Sequence, residues 1–256
     1  MPGHPNFDLV ARPRLLDRQG PSDSTARTRD SPRTDPSGGP PGHPALAMVR
    51  DASPGWLRQG VEASLEALGA DHVDLYQVHW PDPNTPFAES ATALREMVDE
   101  GLIGHVGVSN FDVDQLREFP GVEAIQPPYH LFRRDAETDV LPYAAEHDLG
   151  VLAYGPLAHG LLGGGFDEHT TFPSDDWRSH SPDFTGLGFG RNLAVVNELR
   201  DFAERRGATI GQLAVAWVLA HPAVHVAIVG ARSPRHLDES LMAGAAPVTG
   251  PAPEGM

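Results

Sequence analysis

Residues 74–83 read DLYQVHWPDP, a short apolar run that closes on His79 and Trp80 before Pro81 and Pro83. Leu75, Gln77 and His79 alternate with Tyr76, Val78 and Trp80, which is the period of a strand, and the two prolines end it. An imidazole is thereby placed at the C-terminal end of a strand, where barrel enzymes assemble their sites. By itself such a histidine is more often structural, so its neighbours decide.

Outward from this strand the chain alternates regularly. Ser53 and Pro54 predict a helix start, and Leu57, Val61, Leu65 and Leu68 recur at helical spacing. After the strand at 73–79 come a helix near 87–100 closed by Gly101, a strand at 104–108 and a helix from about 112. A strand at 122–126, a helix near 137–147 and a strand at 150–154 follow. A long glycine-rich, polar loop, 158–190, precedes a helix at 192–206. Gly186, Gly188 and Gly190 fall in that loop and read as flexibility, not as a phosphate cradle. Thr209 caps another helix, and a last strand at 225–229 leads into a helix near 234–244.

Strand–helix alternation predicts parallel strands with right-handed crossovers. No early Gly-rich fingerprint marks a dinucleotide-binding sheet, and the regular spacing favours a barrel. Five strands are found where a closed (β/α)8 barrel needs eight. The expected fold is therefore α/β, an incomplete (β/α)8 TIM barrel over residues 49–246. Residues 1–48, rich in Pro, Arg and Ser, read as a disordered segment, and 247–256 as a flexible tail.

Composition removes several function classes. The formal net charge of −16 argues against nucleic acid or an anionic membrane as partner. There is no cysteine, which excludes disulfides, thiolate metal sites and cysteine nucleophiles. All 19 basic residues are arginine, as GC-rich coding would give, so no mechanism can draw a lysine from this chain. No apolar run reaches the length of a membrane span, and a cytoplasmic location is the default expectation. No metal site is expected: HExxH is absent, and the one HxxxH, His221 and His225, is broken by Pro222. Asp175 and Asp176 lie in the polar loop and read as solvent-facing, and no GxSxG nucleophile is present.

Five segments stand in one order: DLYQVHWPDP (74–83), GVSNF (107–111), QPPY (126–129), AYGPLAHGLL (153–162) and IVGARSP (228–234). Over about residues 50–245 they resemble the aldo-keto reductases, NADP-dependent oxidoreductases that reduce aldehydes and ketones. The resemblance implies that the last five strands of such a barrel are retained. It implies that His79 is the catalytic histidine that orients and polarises the substrate carbonyl, and that Trp80 lines the substrate pocket. Ser109 and Asn110 have a bland alternative as helix caps; by resemblance they hold the nicotinamide carboxamide together with Gln126, which suits amide donors and acceptors at successive strand ends. Tyr154, otherwise a core aromatic, matches the tyrosine that stacks on the nicotinamide ring. Gly155, Leu157 and His159 would place backbone around the pyrophosphate. Arg232, with Gly230 and Ser233 beside it, is implied for the 2′-phosphate of NADP. Glu239 matches an adenine contact, while His236 and Ser240 depart from the Arg or Gln and the Asn that related sequences commonly carry.

The same resemblance implies an incomplete catalytic set. In the family a tyrosine supplies the proton, tuned by an aspartate, a lysine and the histidine; all but the histidine precede the segment that aligns here. The tyrosines of this chain are Tyr76, Tyr129, Tyr143 and Tyr154. Tyr76, three residues before His79 on a strand, points to the opposite face. Arginine cannot titrate in place of a lysine. The expectation is an N-terminally truncated or frameshifted member, inactive alone, with a non-catalytic NADP-binding or regulatory protein as the alternative. A third reading is a reductase completed by another polypeptide. Open sheet edges predict self-association.

Overall fold

The structure is a computed structural model that describes residues 50–231 and 234–245. The expectations for 1–48 and 247–256, and those for Arg232 and Ser233, lie outside the described residues.

Helix α1 (Pro54–Leu68) starts where Ser53-Pro54 placed it, but Ser53 does not cap through its hydroxyl; its N–H instead donates to Asp51 Oδ1 at 2.9 Å. Leu57, Val61 and Leu65 form the buried stripe, and Gly69 ends the helix in the left-handed conformation (φ 62°). Then follow β1 (Val73–Val78), α2 (Phe87–Asp99), β2 (Ile103–Ser109), α3 (Val113–Glu118), β3 (Ala124–Gln126), α4 (Val140–Glu146) and β4 (Gly150–Tyr154). The last elements are α5 (Gly186–Glu204), α6 (Ile210–Leu219), β5 (Val226–Ile228) and α7 (Pro234–Leu241).

The strands form one parallel sheet in sequence order, β1-β2-β3-β4-β5. This is the five-stranded partial barrel that the alternation predicted. Val78, Val108, Ile125 and Val151 lie side by side in register and are buried on the helix-facing layer with Val61, Leu94 and Met97. Each contributes roughly 1.5–3 kcal/mol by leaving water. The neighbouring row, on the opposite face, is Gln77, Gly107, Ala124 and Gly150. Small residues are needed there: a Cβ on Gly107 would meet Gln77 Cγ at 2.8 Å. Tyr76 packs outward under α1, its hydroxyl against Gly60, as its strand position required.

Three expectations are corrected. The helix expected at 137–147 is a 3₁₀ turn (Asp135–Glu137) followed by α4, because Pro142 has no N–H to donate and is tolerated only in a first turn. The strands expected at 122–126 and 225–229 pair over three residues each. The loop expected at 158–190 contains 3₁₀ turns at Ala158–Gly163 and Trp177–His180, and α5 begins at Gly186. Gly186, Gly188 and Gly190 therefore build the first turns of α5. At Gly188 a Cβ would lie 2.1 Å from the Pro182 carbonyl oxygen, so the residue permits a close approach. This region encloses a second core, in which Phe166, Phe172, Phe184 and Phe189 meet mostly edge to face and pack on Leu193, Val196 and Leu213.

Candidate active site

The C-terminal ends of β1 to β4 are tied together by one hydrogen-bond network. Asn110 follows β2 with φ 61°, a left-handed conformation that asparagine tolerates better than most residues. Its Nδ2 donates to the His79 carbonyl oxygen at 2.9 Å and to Ser109 Oγ at 3.1 Å. Its Oδ1 accepts from the Tyr154 hydroxyl at 2.8 Å. Ser109 is 2% exposed, and its hydroxyl donates to the Gln126 carbonyl oxygen at 2.8 Å. Four strand ends thus fix His79, Ser109, Asn110, Gln126 and Tyr154 in one place. Helix capping, the alternative for Ser109 and Asn110, is done instead by Asp112 with Gln115 in a reciprocal capping box.

The residues differ in what they leave available. Asn110 uses its amide inside the protein on both sides. The Gln126 side chain is half-buried and makes no hydrogen bond to another described residue. Burial raises the Tyr154 phenol above its ordinary pKa, so it remains a neutral donor. The Trp80 ring lies 6.0 Å from that of His79, with the Arg50 guanidinium 4.6 Å from its centroid. A half-buried ring and an available amide beside a bound backbone carbonyl suit a flat, amide-bearing ligand.

Beyond Tyr154 the chain makes a tight turn. Gly155 (φ 70°) is followed by Ala158 (φ 47°), His159 (φ 56°) and Gly160 (φ 100°), all left-handed. Leu157 just before them has φ −89° and ψ 11°, which gives the backbone the right-then-left pairing seen in anion-binding concavities, while the Ala158 and Gly160 N–H groups donate within the turn to the Gly155 and Leu157 carbonyl oxygens, each at 2.9 Å. Apart from the residue itself and its chain neighbours, no described atom lies within 4 Å of where a Cβ on Gly155 would stand, and the same holds for Gly230 after β5. Farther along, His236 and Glu239 lie on α7, where Ser240 Oγ donates to the His236 carbonyl oxygen at 2.8 Å. His221 and His225 spend their Nδ1 atoms on the backbone N–H groups of Ala223 (3.2 Å) and Val151 (3.1 Å).

Sequence reasoning missed three residues. Asp82 is 4% exposed and accepts from the Ala52 N–H (3.0 Å), the Asn84 N–H (2.8 Å) and the Thr85 hydroxyl (2.6 Å), fixing the loop after His79-Trp80 to the entry of α1. Burial opposes its ionisation, yet the donors together hold its carboxyl below the ordinary value. Its signal was present in the Asp-Pro-Asn-Thr run, an Asx-turn pattern. His130 is pushed down to about 4 by burial and by His159 and Arg133 nearby. Arg178 donates to the His159 carbonyl oxygen, a contact 19 residues apart that no local pattern announces.

With the geometry in place, comparison with known proteins is decisive. Residues 45–250 match the Aldo/keto reductase family. The chain belongs to this family. The aldo-keto reductase YhdN of Bacillus subtilis (strain 168) is 43% identical over 195 residues, covering 75% of this chain and 59% of that protein. The aldo-keto reductase str7 of Strobilurus tenacellus is 32% identical over 202 residues, covering 77% and 60%. Among solved structures, the glycerol dehydrogenase AKR11B4 from Gluconobacter oxydans superimposes with a TM-score of 0.69 at 38% identity, over 80% of this chain and 69% of that one. The thermostable aldo-keto reductase Tm1743, solved with the inhibitor epalrestat, gives a TM-score of 0.60 at 31% identity, over 76% and 62%. The chain thus spans about three fifths of the length of these curated members of the family. No helix of the described residues is long and apolar enough to cross a membrane.

Proposed function

We propose that this chain carries the cofactor-facing side of an NADP-dependent aldo-keto reductase site, directed at small aldehydes or ketones. The observation that carries this reading is the Asn110 network, which joins the ends of β1, β2 and β4 and braces β3 through Ser109. In this reading the Gln126 amide meets the nicotinamide carboxamide, with Asn110 and Ser109 holding it in place. Tyr154 offers its ring face, the Gly155–Gly160 turn surrounds the pyrophosphate, and Gly230, Arg232, Ser233, His236, Glu239 and Ser240 surround the adenosine end. When bound, the nicotinamide supplies a hydride. His79 hydrogen-bonds and orients the carbonyl oxygen, and Trp80 walls the pocket.

The proton is a separate matter. No lysine exists in the chain, and the phenol of Tyr154 is engaged with Asn110. Loss of a positioned general acid lowers rates by roughly 10²–10⁴. We therefore assign the chain by itself cofactor binding without appreciable turnover, which leaves room for a non-catalytic NADP-binding or regulatory role.

Titration of NADPH against tryptophan fluorescence tests the reading. The expected result is saturable quenching, weakened by Tyr154→Ala, with NADPH oxidation by a panel of aldehydes and ketones at background. Absence of saturable binding overturns the cofactor assignment. Turnover well above background overturns the assignment of a missing proton source.

A further inference from the structure

We propose that Arg178 latches the Ala158–Gly160 turn in its left-handed form and so acts as a positioning residue for nucleotide binding. This rests on the reading of that turn given under Proposed function.

The turn is a conformation that needs holding. Ala158 and His159 are consecutive non-glycine residues at φ 47° and 56°. L-residues in this region are sterically disfavoured, and a pair of them persists only where the surroundings over-determine it. Within the turn, the Gly160 N–H donates to the Leu157 carbonyl oxygen at 2.9 Å, and the Leu162 N–H to the same oxygen at 3.1 Å. The Ala158 N–H also donates to the Gly155 carbonyl oxygen at 2.9 Å, and further constraint comes from the segment between Phe166 and Phe184. Arg178 Nη1 donates to the His159 carbonyl oxygen at 3.1 Å. The His159 ring meets Trp177 edge to face, with centroids 4.8 Å apart. Phe166 closes on Gly160 so tightly that a Cβ there would meet its Cζ at 3.0 Å.

Arg178 is itself fixed in place. Its Nη2 lies 2.6 Å from Asp176 Oδ2 and its Nε 3.0 Å from Asp176 Oδ1, and its guanidinium carbon is 4.5 Å from the Phe172 ring centroid. A guanidinium satisfied by one carboxylate and stacked on an aromatic ring is a poor direct ligand for a phosphate, but it is a well-oriented donor to a carbonyl. The turn is therefore braced on one side by Phe166, Trp177 and Arg178, while its Gly155 side is open. Holding His159 left-handed from behind fixes the shape of the turn, so ordering is complete before a ligand arrives.

Arg178→Met keeps an apolar stem against Phe172 and deletes the donor. In the full chain, the expected result is an NADPH dissociation constant raised about tenfold, with faster hydrogen exchange at the Gly160 and Leu162 amides. Adding Ala158→Gly, which takes the left-handed conformation without a Cβ clash, is expected to restore most of the lost affinity. A general packing role for Arg178 would not be rescued in this way. Unchanged affinity in Arg178→Met, or a loss that Ala158→Gly leaves unrepaired, overturns the latch. If the unaltered chain binds no NADPH, the cofactor reading fails, and exchange alone decides the latch: equal Gly160 exchange in Arg178→Met and the unaltered chain overturns it. Should Arg178→Met not fold, Asp176→Asn, which loosens the guanidinium, is expected to shift both readouts in the same direction, and no shift overturns the proposal.

Discussion

Asn110 combines a left-handed backbone with three side-chain hydrogen bonds, and two substitutions separate these contributions. Both Asn110→Gly and Asn110→Ala delete the bonds to the His79 carbonyl, the Ser109 hydroxyl and the Tyr154 hydroxyl, at 2.9, 3.1 and 2.8 Å. At about 0.5–1.5 kcal/mol net per bond, and with the residue only half-buried, the shared loss is about 1–3 kcal/mol. The two variants differ in the backbone. Alanine at φ 61° incurs roughly 1–2 kcal/mol of steric cost that glycine avoids. Glycine loses more freedom on folding, worth about 0.4–1 kcal/mol in favour of alanine. Strain wins, so Asn110→Gly should be the more stable variant by about 0.5–1 kcal/mol. Urea unfolding of both variants and the unaltered chain measures this directly through midpoints at constant slope. An Asn110→Ala chain as stable as Asn110→Gly would refute the left-handed assignment at this strand end. Equal stability of all three chains would refute the network.

Asp82→Ala strands the buried Ala52 N–H and should lower stability by roughly 2–4 kcal/mol in urea unfolding. Because the folded carboxyl sits below its ordinary value, this contribution is present above about pH 4 and is lost as pH falls through the folded value. The gap between Asp82→Ala and the unaltered chain should therefore narrow in acid. Gly188→Ala should destabilise by about 1–3 kcal/mol, because the new methyl collides with the Pro182 carbonyl; thermal unfolding reads the effect. His130 is neutral in the fold down to about pH 4 but titrates near 6.5 when unfolded, so it makes the fold less stable as pH drops from 6.5 towards 4. His130→Asn should flatten that part of the profile, and comparison of urea midpoints at pH 7 and 5 checks it.

The five strands and their order were legible because each is a short apolar run between amphipathic helices, and a parallel sheet follows from that alternation. Thr209 was legible for a local reason: its capping box with Gln212 needs only four residues. The site residues at strand ends were legible only through their segments, since nothing in GVSNF alone says that Asn110 bonds to a carbonyl 31 residues earlier. The second core was hidden for a physical reason. Phe166, Phe172, Phe184 and Phe189 have no helical or strand period, and their contacts close across irregular turns that periodicity cannot detect. Glycine propensity likewise argued against a helix from Gly186, and tertiary contact with Pro182 overrode it.

Under the function proposed above, the two halves of the chemistry depend on this chain to different degrees. Apart from the bond between adjacent Asn110 and Ser109, the side-chain hydrogen bonds that orient Asn110, Ser109 and Tyr154 come from another strand end of the same sheet, so this geometry is set by parallel neighbours within 50–231. The same face of the sheet, one and two rows below these ends, is less settled. Gln77 Oε1 is buried with no partner among the described residues, and the His105–Glu123 pair stands open, with side chains 55% and 38% exposed. A buried acceptor without a partner costs stability, and a solvent-exposed histidine–carboxylate contact returns little of it. Hence substitutions at Asn110 or Asp82 should disturb the site far more than substitution of His105, although all three residues lie on or beside the same strands. Under the function proposed above, cofactor binding and proton delivery are in this sense separable properties of the fold, and the residues described here serve the first.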